Sequence, residues 1–274
     1  MTGDISATTL AIALGLTALT ALSTCVGSLL AFLPGTSDRR FISVALGLSA
    51  GVMVYVALTG ILPESVEKLG RQNALWAVVA FVGGMGLMAV LDMVLPEHGG
   101  CRHTPDGKES CGDSAGSAQQ RRRLRRTGLI LASTIAVHNF PEGMATFVSA
   151  LGGLDVALPL ALAICIHNVP MGIAMAAPVY YGTCSRRKAF FCTFFSGMAA
   201  VAGAVVALLF LLPWWTPQLE SLCMAAVAGV MLFIAFDELL PEAEAYGRHS
   251  LVMAGLVAGM ALMAFCLLLF GHNH

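Results

Sequence analysis

The phrase HNFPEG occupies residues 138–143 and HNVPMG occupies 167–172. Each sets an imidazole beside a side-chain amide, then a proline, then a glycine; Glu142 of the first has Met171 as its counterpart in the second. His138 and Glu142 are four residues apart and share one helix face, and Asn139, three residues before Glu142, reaches toward it. His167 and Asn168 repeat that pattern. Pro141 and Pro170 have no N–H, so they free the carbonyls of Val137 and Ile166 and kink their helices. Gly143 and Gly172 permit close approach of a neighbouring backbone. Two such helices set face to face would bring an imidazole, an amide and an opened carbonyl from each to one point, together with one carboxylate. Imidazole nitrogen with carboxylate oxygen suits zinc and related first-row cations. A lone histidine in an apolar helix reads as an interhelical hydrogen bond. Two histidines in duplicated motifs beside a glutamate read as a cation site.

The surroundings make that chemistry expensive. The chain has 274 residues, 57% hydrophobic and 11% charged, against about a quarter charged in soluble domains. Eight stretches approach the ~20 apolar residues a spanning helix needs: roughly 7–32, 41–62, 74–95, 128–151, 157–181, 189–212, 219–240 and 250–270. The first lacks a basic flank and a small-residue cleavage site and reads as a span, not a removed signal. Both motifs lie inside spans, the fourth and fifth. A glutamate there costs ~2.5–3.5 kcal/mol on insertion scales and marks a pathway, relay or partner. The expectation is an all-α membrane protein, a single polytopic domain over 1–274, with the metal site between helices 4 and 5.

Orientation follows from the basic residues. With the N-terminus outside, the inside loops hold Arg39, Arg40, Arg102, Lys108, Arg121, Arg122, Arg123, Arg125, Arg126, Arg186, Arg187, Lys188 and Arg248, and only Lys68 and Arg71 fall outside. This asymmetry predicts extracytoplasmic termini in a cell (inner) membrane. The cluster 121–126 precedes a span and reads as a topology anchor, so nucleic acid is not an expected partner; the lipid bilayer is. Residues 96–127, polar and rich in Gly, Ser and Arg, are expected to form a flexible cytoplasmic loop. Its His98, Cys101, His103 and Cys111 match no standard zinc spacing, and His272 and His274 read as a frayed tail. Cys25, Cys165, Cys192, Cys223 and Cys266 lie in spans, where cysteine acts as a small hydrophobe.

Internal repeats define the architecture. Residues 50–64, AGVMVYVALTGILPE, and 228–242, AGVMLFIAFDELLPE, agree at eight of fifteen positions without gaps. They fall in spans 2 and 7, which run in opposite directions, as do spans 4 and 5 with the HN.P.G pair. Two independent pairs predict an inverted 3+2+3 repeat. Such repeats place a transport site near the midplane on interrupted helices. Asp237 and Glu238, read as ending span 7, and Glu64, Asp92, Glu97 and Glu242 near other span ends, read equally well as solvated interfacial acids. Met53 reads as core filler among fourteen methionines.

HNFPEGMATFVSA, HNVPMGIAMAAPVY, the AAVAGVM and DELLPEA pieces of span 7, and LDMVLPEH after span 3 together resemble the Zrt/Irt-like (ZIP) family of metal-ion transporters, above all its bacterial zinc-uptake branch. The resemblance covers nearly the whole chain. It implies eight spans, external termini, a loop between spans 3 and 4, and movement of a divalent metal into the cytoplasm. It implies a site of His138, Asn139, Glu142, His167 and Asn168, with Met53 joining from span 2. Family members commonly carry a second glutamate where this chain has Met171, and often an acid where it has Ala200; both serve an adjacent second metal. Two divalent ions close together in low dielectric need several carboxylates, so Glu142 alone predicts one ion. Met171 then offers soft sulfur or fills volume, and the site should favour Zn²⁺ and Cd²⁺ over Mn²⁺ and Mg²⁺; Fe²⁺ is a further candidate cargo. No cofactor beyond the transported metal is expected, and the chain is not expected to be an enzyme. An intramembrane metal-dependent hydrolase lacks an HExxH motif and a use for the repeat. A metal sensor that binds without moving ions is the other alternative. Whether the chain works alone or as a homodimer is open at this stage.

Overall fold

The structure, a computed structural model, describes residues 6–33, 38–94, 118–214 and 216–270. Among these residues there are eight helical rods and no strand: α1 (Ala7–Leu30), α2 (Arg39–Leu69), α3 (Ala74–Val94), α4 (Ala118–Gly152), α5 (Leu154–Thr183), α6 (Arg186–Trp214), α7 (Pro217–Tyr246) and α8 (His249–Phe270). Helices are the only open way to satisfy every backbone group within hydrocarbon. All but α4 are long and apolar enough to cross a membrane. The exception is informative: α4 begins with a basic run and carries His138, Asn139, Pro141 and Glu142 in its body.

The rods start where the sequence can cap them. Side-chain oxygens of Ser6, Asp38, Ser185 and Thr216 accept from backbone N–H groups at the starts of α1, α2, α6 and α7, satisfying donors a helix leaves free. These four caps are themselves a repeat, Ser6 and Asp38 in one half answering Ser185 and Thr216 in the other. Gly153, at φ 148°, makes the tight joint between α4 and α5, a backbone conformation that side chains with a Cβ rarely adopt.

Helix boundaries depart from the expectation in two places. Residues 118–127, expected as loop, are the first turns of α4; their arginines are strong helix formers. The loop ligand candidates His98, Cys101, His103 and Cys111, and the tail histidines His272 and His274, lie outside the described residues. In addition, α7 continues to Tyr246, so Asp237 and Glu238 sit inside the helix, in a widened π turn over Ala235–Leu239. The corresponding part of α2, Val56–Ile61, is a π turn too, as is Ala207–Leu211 of α6. Each ends two residues before a proline: Pro63, Pro213 and Pro241. A proline ring crowds the carbonyl four residues back and offers no N–H, and a wider turn relieves both. Pro141 and Pro170 are different, for α4 and α5 run through them as α-helix.

Packing follows the inverted repeat throughout. α2 lies on α8 as α7 lies on α3; α1 lies on α5 as α6 lies on α4; α2 meets α5 as α7 meets α4. The outer rods are α3 and α8, with 17% and 22% of their most apolar stretches buried, against 67% in both α2 and α7 and 78% in α5. Glycines set the closest crossings. A Cβ on Gly143 would collide with the Ala200 backbone and one on Gly203 with the Phe140 carbonyl, joining α4 to α6. In the other half, Gly172 faces the Thr24 carbonyl and Gly27 the Val169 carbonyl, joining α5 to α1. Without a hydrophobic drive between helices in lipid, such close backbone packing is what holds them together.

Candidate metal centre

The repeated motifs meet at the middle of this bundle. α4 and α5, antiparallel across Gly153, bring His138, Glu142 and His167 together so that one ligand atom from each lies within 4.8 Å of the others. His167 Nε2 is 2.9 Å and His138 Nε2 3.1 Å from the same oxygen, Glu142 Oε1. The ring centroids are 6.1 Å apart at 73°, an edge-on arrangement that turns both nitrogens inward. All three residues are buried, none more than 2% exposed.

Hydrogen bonds orient these groups. His167 Nδ1 donates to the Ala163 carbonyl, 3.0 Å away, which fixes its tautomer and turns the other nitrogen toward Glu142. With one proton on Nδ1, the gap between Nε2 and Oε1 faces two lone pairs and calls for a positive charge, a second proton or a metal ion. Ser49 Oγ of α2 donates to the His167 carbonyl at 3.0 Å, and Thr146 Oγ1 to the Glu142 carbonyl at 2.9 Å. Glu142 Oε2 and His138 Nδ1 have no hydrogen-bond partner, and His138 Nε2 has only the Glu142 oxygen beside it. Buried polar atoms are rarely left that way, and unshared lone pairs on a carboxylate and an imidazole are what a cation would satisfy.

Asn139 and Asn168 direct their amide N–H groups to neighbouring helices. Asn139 Nδ2 donates to the Ser196 carbonyl of α6 at 3.1 Å and Asn168 Nδ2 to the Thr20 carbonyl of α1 at 3.0 Å. The two bonds are repeat images of each other, and in both residues Oδ1 is buried and unpartnered. Each asparagine therefore ties its motif to a neighbouring helix and keeps a carbonyl oxygen free. Met53 and Met171 are fully buried in the apolar core, on α2 and α5. Ala200 lies against Gly143. Ser49 went unnoticed in the sequence; nothing distinguishes it from the other serines until α2 is packed on α5.

A model described as ZIP Zinc transporter matches residues 96–267. The chain is 42% identical over 270 residues to the zinc transporter ZupT of Akkermansia muciniphila, covering 97% of this chain and all of that one. It is 45% identical over 262 residues to ZupT of Chlorobium phaeovibrioides, covering 94% and 97%, and 42% identical over 260 residues to ZupT of Streptococcus mutans, covering 93% and 96%. Identity of that order along nearly the full length, on a bundle whose repeated motifs converge, establishes that the chain belongs to the ZIP zinc transporter family.

Proposed function

We propose that this protein carries a divalent cation, zinc first, into the cytoplasm through one ion site built from His138 and Glu142 of α4 and His167 of α5. The observation that carries this is the convergence of two imidazoles and one carboxylate within 4.8 Å, fully buried, on the two helices central to an inverted repeat. Zinc is favoured by that donor set and by the relatives, which are named zinc transporters. Asn139 and Asn168 hold the two motifs in register and offer their free oxygens; Met53 and Met171 offer thioether sulfur from α2 and α5.

The site takes one ion. Met171 stands where the repeat would place a partner for Glu142, and Ala200 brings no acid to the crossing of α6 with α4. A single carboxylate can offset one divalent charge in low dielectric but not two. Soft and borderline cations, Zn²⁺ and Cd²⁺, should therefore be preferred over Mn²⁺ and Mg²⁺. Membership of a transporter family sets aside the hydrolase reading. Movement requires alternating exposure of a buried site, which the two repeats supply by moving against each other.

The test is uptake of Zn²⁺, Cd²⁺, Fe²⁺ and Mn²⁺ into proteoliposomes, with Glu142→Ala as comparison. Zinc uptake abolished by the substitution is expected. Binding without uptake would make the protein a sensor, and full uptake by Glu142→Ala would remove the site from the pathway.

A further inference from the structure

A second constellation lies where α2 ends, α7 begins and α4 finishes. Lys68 Nζ is 2.9 Å from Glu64 Oε1 and 3.0 Å from Glu220 Oε1, so one ammonium bridges carboxylates of α2 and α7. Beside it is a cavity of about 10 Å³ lined by Glu64, Lys68, Ser149 and Glu220 among others, about the space one water-sized sphere takes. Two other serines on its wall donate back along their own helices, Ser65 to Ile61 at 2.8 Å and Ser221 to Pro217 at 2.9 Å. Ser149 does not. It is 2% exposed, and its Oγ has no partner. Gly152, one turn on, has no side chain, and a Cβ there would strike the Glu220 carboxylate. α4 is thus cut away where Glu220 enters.

Three oxygen donors from three helices therefore surround a small space, with one of them unsatisfied. The cation now serving the carboxylates is tethered and replaceable: the Lys68 side chain is 38% exposed and Glu220 only 10%. Oxygen-only surroundings suit hard and borderline divalent ions. The place also lies in line with the centre along α4. Glu142, Thr146 and Ser149 follow one another on a single face of α4, and seven residues of helix span roughly 10 Å.

We propose that Glu64, Glu220 and Ser149 form a second divalent-cation site at the mouth of the path to Glu142, held in this conformation by the ammonium of Lys68. An arriving ion takes the carboxylates, Lys68 swings to solvent, and the link between α2 and α7 passes from the chain's own cation to the cargo. The basic-residue asymmetry puts this mouth outside. The site itself does not depend on the transport reading, and the experiment keeps the two apart.

Mn²⁺ binding to the purified full-length protein in detergent, followed by electron paramagnetic resonance, tests it. Lys68→Met should bind one more Mn²⁺ per chain than Lys68→Arg, at least about tenfold more tightly than the unmodified chain, since a unit charge is removed a few ångströms from the ion. Adding Glu220→Gln should abolish the extra ion, whereas adding Glu142→Gln should not. No gain in Lys68→Met, or a gain that survives Glu220→Gln, overturns the proposal. On the unmodified chain, Mn²⁺ should raise the rate at which an amine-reactive acylating reagent labels Lys68, and should do so equally in Glu142→Gln. An unchanged rate in folded protein is equally fatal, while a response lost only in Glu142→Gln assigns the effect to the central site and overturns this one.

Discussion

Gly143→Ala examines how the bundle holds the site. The substitution adds one methyl group, whose carbon would overlap the carbonyl and Cα of Ala200 on α6. Those are backbone atoms and cannot rotate aside, so α4 and α6 must separate. Forced separation in a packed core costs about 1–3 kcal/mol. It also stretches the 3.1 Å bond from Asn139 Nδ2 to the Ser196 carbonyl across the same crossing, worth about 0.6 kcal/mol for an interhelical bond in a membrane. The expected destabilisation is about 2–4 kcal/mol, with weaker Zn²⁺ binding because His138 and Glu142 ride on α4. Gly83→Ala is the matched control: the same methyl group on α3 meets nothing within 4 Å. Alanine is the better helix former there, so that variant should be neutral or slightly more stable. Unfolding in mixed micelles gives the two free energies and calorimetry the Zn²⁺ affinities. Equal stability of the two variants would refute the claim that this glycine sets the helix spacing. A destabilised Gly143→Ala with unaltered zinc affinity would refute the claim that the spacing positions the site.

Further expectations concern the donor set. With Glu220 neutralised as Glu220→Gln, metal analysis should find one tightly held Zn²⁺ per chain, and two would reject the argument from a single central carboxylate. Met171→Glu supplies the second acid and should move preference from Zn²⁺ toward Mn²⁺ in competition uptake; an unchanged order counts against the selectivity argument. Ser49→Ala removes the 3.0 Å bond to the His167 carbonyl, a loss of about 0.6 kcal/mol, and should weaken zinc binding by roughly threefold. A loss of a hundredfold would mean that Ser49 does more than position the backbone.

Much of this was legible from residues alone because hydrocarbon enforces local rules. Each spanning segment must satisfy its own backbone, so apolar stretches map onto rods: seven of the eight anticipated stretches are rods long and apolar enough to cross a membrane, and α4 is less apolar because the polar residues of its HNFPEG phrase lie in its body. The paired HN.P.G phrases named the two central helices, since no apolar packing need explains a repeated imidazole with an amide. The start of α4 was missed because composition marks residues 118–127 as polar without saying whether they continue a helix. The π turns were missed because proline signals a disturbed hydrogen bond, while the way the helix accommodates it is not written locally.

What the sequence determined on its own is the number of rods, the inverted repeat and the candidacy of His138, Glu142 and His167 as ligands, because spacing along one helix and composition within one span are local properties. Tertiary structure decided which atoms meet. Glu142 turned one oxygen to both imidazoles, the asparagine amides went to α6 and α1, and Lys68 found Glu220, far along the chain, over an unpartnered Ser149. Those outcomes depend on how each rod is rotated and how close its neighbours come, and that is set by backbone contact at Gly143, Gly172 and their partners across the bundle.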